Sequence, residues 1–331
     1  NMAVTLAEIT KLRGLTGAGM MDCKKALIET EGDMDAAVEV LRKKGQAIAA
    51  KREDRQASEG CVLAKNEGGF AAIVALCCET DFVAKNASFV ELTQTILDTA
   101  IAQRVKSLDE LKEISINGRA VADLITDETA KTGEKIELGR YEYLEAPSTT
   151  SYNHLGNKLS TIAGFNLEGV DYHVGRDIAM QVASMNPVAV DRDSVPEEVK
   201  NSEYNVAVEK TKEEQVKKAV EAALKKAGIN PNLVDSEDHI SSNIAKGWLT
   251  EEEAEKARAI IAETAAAKAA NLPEQMIQNI AQGRLNKFFK ESCLMEQEFV
   301  KDGNLTVGQY LENSLKGLVV VSFKRVNLNQ D

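Results

Sequence analysis

The side chains in this sequence that could do chemistry are few, and their spacing does not favour it. His154, His173 and His239 are isolated, and adjacent Cys77 and Cys78 would face opposite sides of a strand, so neither metal ligation nor a Cys/His dyad finds support. Gly17-Ala18-Gly19 is followed by Asp22 where a dinucleotide fingerprint needs glycine, and no strand precedes it. Neither G-x-x-x-x-G-K-S/T nor H-E-x-x-H occurs. The expectation is a chain without catalytic residues, metal or cofactor. Two segments stay odd on physical grounds. In Thr16-Gly17-Ala18-Gly19-Met20-Met21-Asp22, two methionines sit in a glycine-rich turn that should be polar. They either offer an adaptable contact surface or close a small core. In Cys78-Glu79-Thr80-Asp81-Phe82-Val83-Ala84-Lys85-Asn86, an aromatic stands beside an acid between a strand and a helix. It either folds back as a plug or projects as a wedge, while Thr80 or Asp81 could simply cap the next helix.

The elements that must position these residues follow from composition and period. The 331 residues carry 40 Lys+Arg against 52 Asp+Glu, a net charge of −12, and no long basic run, which disfavours direct nucleic-acid binding. No long uncharged apolar window exists, so no membrane span is expected. The opening Asn1-Met2-Ala3-Val4-Thr5-Leu6-Ala7-Glu8 reaches an acid too soon for a signal peptide, and Asn1 ahead of Met2 reads as extraneous. Five cysteines without C-x-x-C fit reduced thiols, and a cytoplasmic location is expected.

The period predicts an α+β fold. Leu6, Ile9 and Leu12 begin a helical unit in residues 1–50, in which Asp33 caps a third helix over Met34 to Lys44 and Gly45 lies just past its end. A charged linker at 51–57 leads to a first core half at 58–140. There Cys61 to Ala64 and Phe70 to Cys78 form a hairpin around Lys65 to Gly69, the second strand central, and Ala87 to Ile101 a helix with Phe89, Leu92, Ile96 and Leu97 inward. A comparable series recurs in a second half at 141–204. Tyr141 to Ala146 and Lys158 to Asn166 read as strands around a Pro147-to-Tyr152 loop, before a helix over Asp177 to Met185. Ser194 and Glu197 read as a capping box. Narrow Ala-rich stripes predict an antiparallel helical arm at 205–282 with little core of its own, broken at Asn230-Pro231-Asn232 and resumed behind Thr250. The chain returns to the core at 283–331, where Leu318 to Phe323 suits a buried strand, so the arm is inserted.

The two odd segments also carry a resemblance. Leu12-Arg13-Gly14-Leu15-Thr16-Gly17-Ala18-Gly19-Met20-Met21-Asp22-Cys23-Lys24-Lys25-Ala26-Leu27 and Glu79-Thr80-Asp81-Phe82-Val83-Ala84-Lys85 are similar to the two signatures of bacterial elongation factor Ts, the nucleotide-exchange factors of the GTPase elongation factor Tu (EF-Tu). Weaker similarity continues through Ser151 to His154, Ile178 to Ala183, Gly283 to Phe288 and Thr306 to Gln309. The resemblance implies a three-helix ubiquitin-associated-like domain, a two-part α+β core with antiparallel sheets and a coiled-coil insertion. It implies a translation elongation factor that binds EF-Tu, GDP-bound and nucleotide-free. Thr80, Asp81, Phe82 and Val83 would disturb the Mg2+ site, with Arg13, Met20, Met21 and His154 as partner contacts. The chain departs from the pattern at Ala75 and Cys77, in its longer arm and in lacking a further C-terminal helix. Two rival readings are an adaptor or ribosome-associated chaperone without exchange activity, and a small-molecule enzyme using Asp81 and His154.

Overall fold

The computed structural model describes residues 3–329, and the readings that rest on Asn1 and Asp331 lie outside them. The described chain separates into two compact units, one built from the flanking segments and the other from Asp191–Glu296.

The first unit opens with α1 (Leu6–Thr16), α2 (Met20–Glu29) and α3 (Met34–Lys51). Thr5 accepts the Glu8 N–H to start α1, and Gly17, left-handed at φ 70°, ends it with its N–H on the Arg13 carbonyl. Asp33 starts α3 by accepting the Ala36 N–H. Ile9, Leu12, Cys23, Ala26, Leu27, Ala37 and Leu41 bury one another between the three helices.

Next come β1 (Glu59–Glu67) and β2 (Phe70–Cys78), then α4 (Asp81–Lys85), α5 (Ala87–Ala102), α6 (Leu108–Glu113), β3 (Ser115–Ile116), β4 (Arg119–Ala120), α7 (Val121–Thr132) and β5 (Glu137–Glu145). The β1–β2 connection is only Gly68-Gly69, not the longer loop expected from Lys65 onward. Both glycines have positive φ, 54° and 77°, the geometry that matches a tight hairpin turn to strand twist. Gly45 also corrects its expectation. It lies buried inside α3, which continues to Lys51, and a Cβ there would come 3.3 Å from the Ala130 Cβ. Its missing side chain lets α3 and α7 approach closely.

β6 (Ser148–Asn153), β7 (Leu159–Phe165) and α8 (Tyr172–Met185) follow. Ser148–Asn153 is thus a strand, although its polar residues read as a loop. It pairs with β7 from Ser148 opposite Phe165 to Asn153 opposite Ser160, so its backbone is satisfied by the ladder. After the second unit, which contains α9 to α12, the chain adds β8 (Glu298–Phe299), β9 (Asp302–Thr306), α13 (Val307–Ser314) and β10 (Val320–Asn327). The two three-stranded antiparallel sheets, β1-β2-β5 and β6-β7-β10, are assembled alike. Each is a hairpin followed by a helix, with a later strand added beside the hairpin's second strand. β2 is buried along its whole length. Cys61, Phe70, Val74, Leu76 and Phe89 pack on one side of the first sheet. Val62, Ala71, Ile73, Ala75 and Leu144 pack on the other, against Ile162 and Val326 of the second sheet.

The second unit contains α9 (Glu197–Lys226), α10 (Glu237–Ala245), α11 (Glu251–Ala270) and α12 (Glu274–Ser292). Ser194 does not cap α9. Its N–H and Oγ are taken by Asp191 Oδ1 at 2.9 and 2.6 Å, and Pro196 stands at the cap position instead. Thr250 does cap α11, accepting the Glu253 N–H. α9 packs against α11 and α12 in turn. The expectation of little internal core is corrected: Leu224, Ile229, Val234, Ile240, Leu249, Ala254 and Ala257 form a buried cluster. The segment from Ile229 to Leu249 supplies the bulky side chains that the Ala-rich stripes lack. Elsewhere a groove of about 940 Å3 stays open along Val216, Val220, Ile261, Ala265 and Ile277.

Candidate functional site

The Thr80–Val83 segment is short but tightly tied. Thr80 lies extended at φ −116° and its hydroxyl accepts the Val83 N–H at 3.4 Å, which starts α4. Asn86 ends α4 and starts α5 by accepting the Ser88 N–H, so two caps meet within seven residues. Ala84 is buried in the main core, with Val83 partly packed beside it. With that side of α4 turned inward, Phe82 is left 90% exposed. The ring is therefore not folded back as a plug, and Thr80 caps a helix as the simpler reading expected.

Charges brace this turn. The Asp81 carboxylate meets Lys85 at 2.7 Å and Lys158 at 3.6 Å, and the Lys85 hydrogen bond foremost holds its pKa below the ordinary carboxylate value. Lys158 also bonds Glu59 at 2.7 Å and the Gly60 carbonyl at 3.1 Å. Beneath, the Glu134 carboxylate accepts the Glu79 N–H, the Thr80 N–H and the Thr80 hydroxyl at 3.1, 2.9 and 2.6 Å. Glu79 in turn accepts the Lys135 N–H at 2.7 Å, the main cause of its own lowered pKa, with Arg55 adding to it.

His154 stands in the β6–β7 connection, exposed, with Nδ1 2.8 Å from the Tyr152 hydroxyl. It borders a cavity of about 420 Å3 lined by Tyr152, Leu159, Met180, Ala183, Ser184 and Val300. Lys158 lies in the same connection, and its contact with Asp81 brings the His154 loop beside the Phe82 turn. Asp81 and His154 nonetheless engage different partners, lysines for one and tyrosine for the other, so they form no acid–base pair.

Arg13, Met20 and Met21 share the three-helix cluster instead. Arg13 is exposed, while Met20 and Met21 open α2 at 45% and 65% exposure. Neither methionine closes the small core, where Met34 packs. Sequence reasoning missed Leu155, 95% exposed next to His154, because a lone leucine in a loop carries no periodic signal. It also missed Glu134 and Lys158, which act on residues about fifty to eighty positions away. Among the described residues, no group of three or more His, Cys, Asp or Glu could hold a metal ion, and no helix is long and apolar enough to cross a membrane.

Comparison with known proteins gives a consistent picture. Residues 79–330 match the family model described as Elongation factor TS. Proteins named Elongation factor Ts from Phocaeicola vulgatus, Bacteroides fragilis and Porphyromonas gingivalis are 58%, 59% and 46% identical over 331 residues. Each match covers all of both chains, so the long helical segment lies within it.

Proposed function

As this chain belongs to the elongation factor Ts family of translation elongation factors, we propose that it binds EF-Tu in its GDP-bound form and promotes GDP release by disturbing the Mg2+ site, so that GTP can follow. Thr80, Asp81, Phe82 and Val83 form the disturbing element, and Arg13, Met20, Met21 and His154 hold the partner. Phe82 carries the proposal. A phenyl ring 90% exposed on a turn whose neighbours Val83 and Ala84 pack inward gains nothing from its own fold.

The mechanism rests on shared dependence. Mg2+ bridges phosphate oxygens and neutralises their charge, so disturbing the groups that hold the ion weakens nucleotide and ion together. By linkage, a protein that weakens nucleotide binding is itself bound less tightly when nucleotide is present. Burying a phenylalanine side chain contributes about 1.5–3 kcal/mol. Each tenfold acceleration needs about 1.4 kcal/mol at the barrier, so Phe82 can supply roughly ten- to hundredfold. Any acceleration beyond that comes from the other contacts. The contacts with Lys85 and Lys158 lower the Asp81 pKa and favour its charged form, so in this reading the element presents an anion beside the ring.

Stopped-flow release of labelled GDP from EF-Tu tests this. The wild-type chain accelerates release, and Phe82→Ala removes at least about tenfold of that acceleration while the protein stays folded. Undiminished release with Phe82→Ala, or binding to EF-Tu that leaves release unchanged, would overturn the proposal.

A further inference from the structure

We propose that Glu134 is the positioning residue of the Phe82 element, a single carboxylate whose three hydrogen bonds fix the Glu79-Thr80 backbone and so hold the ring outward. The inference rests on the exchange reading and adds the device that makes its wedge stiff.

Three observations carry it. First, the Glu134 carboxylate accepts from the Glu79 N–H, the Thr80 N–H and the Thr80 hydroxyl, one oxygen taking both amides and the other the hydroxyl. Hydrogen bonds to an ionised acceptor are about twice as strong as neutral ones, so this is a concentrated restraint for so short a segment. Second, the restraint is reciprocal. Glu79 accepts the Lys135 N–H at 2.7 Å, so each carboxylate satisfies a backbone amide of the other's segment. Third, the residues bearing Glu134 are themselves fixed. Gly133 is left-handed at φ 74° and ends α7 on the Thr129 carbonyl, while Glu134 donates its N–H to Thr132 Oγ1 at 3.2 Å. The same turn grips the end of the helical cluster, with Arg52 Nε on the Gly133 carbonyl at 2.5 Å and Lys135 Nζ on the Glu53 carbonyl at 2.7 Å.

A five-residue helix such as α4 has too little hydrogen bonding of its own to stay ordered on an exposed surface. Its inward contact is chiefly Ala84, a small side chain. Without the clamp, the wedge would sample many orientations, and each encounter with a partner would have to order it first. Glu134 thus touches no partner. It sets the fraction of molecules in which Phe82 already points correctly.

Glu134→Ala, Glu134→Gln and the milder Glu134→Asp, which shortens the reach of the carboxylate and leaves the Thr80 cap on the Val83 N–H in place, test the assignment. Hydrogen exchange reads the clamp without any partner. Glu134→Ala is expected to speed amide exchange at Glu79 and Thr80 about tenfold or more while β2 and α5 keep their protection. In stopped-flow GDP release it lowers the maximal rate about tenfold and leaves half-saturation less affected, because the contacts of Arg13, Met20, Met21 and His154 persist. Glu134→Gln, which still offers one oxygen to the two amides but loses the charge and the acceptor for the Thr80 hydroxyl, recovers only part of both properties. Glu134→Asp gives the pattern of Glu134→Ala more weakly, and it decides the matter if Glu134→Ala loses its fold. Unchanged amide exchange would overturn the clamp whatever the release assay gave. Loosened amides with a native release rate would overturn its positioning role. If even the wild-type chain left GDP release unstimulated, the exchange reading itself would fall and the role of Glu134 with it, while the amide data would still judge the clamp.

Discussion

Two phenylalanines seven residues apart lie in opposite surroundings. Phe89, a residue of α5, is fully buried, whereas Phe82 stands in solvent. Phe89→Ala should lower unfolding stability by about 3–5 kcal/mol, since it leaves a cavity that the surrounding core cannot fill. Phe82→Ala should change it by less than about 0.5 kcal/mol, as expected of an exposed position. Calorimetry of the two variants checks the contrast, and a large loss of stability with Phe82→Ala would mean that the ring packs internally. The thiols give a second test. Burial pushes Cys61 and Cys77 from the ordinary 9.0 up to about 11, and Cys78 up to about 12. A raised folded-state value means that above about pH 9 the unfolded chain releases protons the folded chain keeps, so these groups erode stability as pH rises from 9 to 11. The urea midpoint is expected to fall across that range, and less steeply in Cys78→Ala. A slope identical in both proteins would remove Cys78 as a cause.

At the level of elements, small residues decide how closely the pieces approach. A Cβ on Gly60 would meet the Leu76 carbonyl and lie 2.9 Å from the Cys77 Cα, inside the β1–β2 pair. Gly60→Ala should therefore cost about 1–3 kcal/mol in denaturant titration, although alanine has the better side chain for most other settings. No loss would show that the hairpin can open there without penalty. The same residues mark the limits of sequence reasoning. The buried strand Ala71 to Leu76 was legible because its apolar run had no alternation, and the caps at Asp33 and Thr250 because a side chain satisfies a nearby amide. Gly45 misled because glycine past a helix and glycine within a helix contact look alike until Ala130, far along the chain, is known to face it. Ser148–Asn153 misled because its pairing with β7 overrides its polar composition. For the candidate site, the signatures singled out Thr80 to Val83 and the methionines, which the structure leaves largely at the surface. Glu134 stayed hidden, since a glutamate after a helix-ending glycine has no local mark of the loop it binds.

For the molecule as a whole, the division into two compact units predicts separable stability. Leu224→Ala, in the buried cluster of the inserted unit, should weaken that unit by about 2–5 kcal/mol. The sole tryptophan, Trp248, is 63% exposed beside Lys246, whose Nζ lies 4.9 Å from the ring, and it lies in the same unit. Its fluorescence should report an earlier transition in Leu224→Ala, while the amides of β2 keep their native protection. Simultaneous loss at β2 would show that the units unfold as one. The way the second sheet is assembled has a further effect, felt during translation of the chain itself. β7 ends at Phe165 and waits for β10, which begins at Val320, after the whole helical insertion. At ~5–20 residues per second, a ribosome leaves that flank of β7 bare for on the order of ten seconds or more. A naked strand edge invites pairing with a stranger, so the nascent molecule is most exposed to aggregation while its helices are being made.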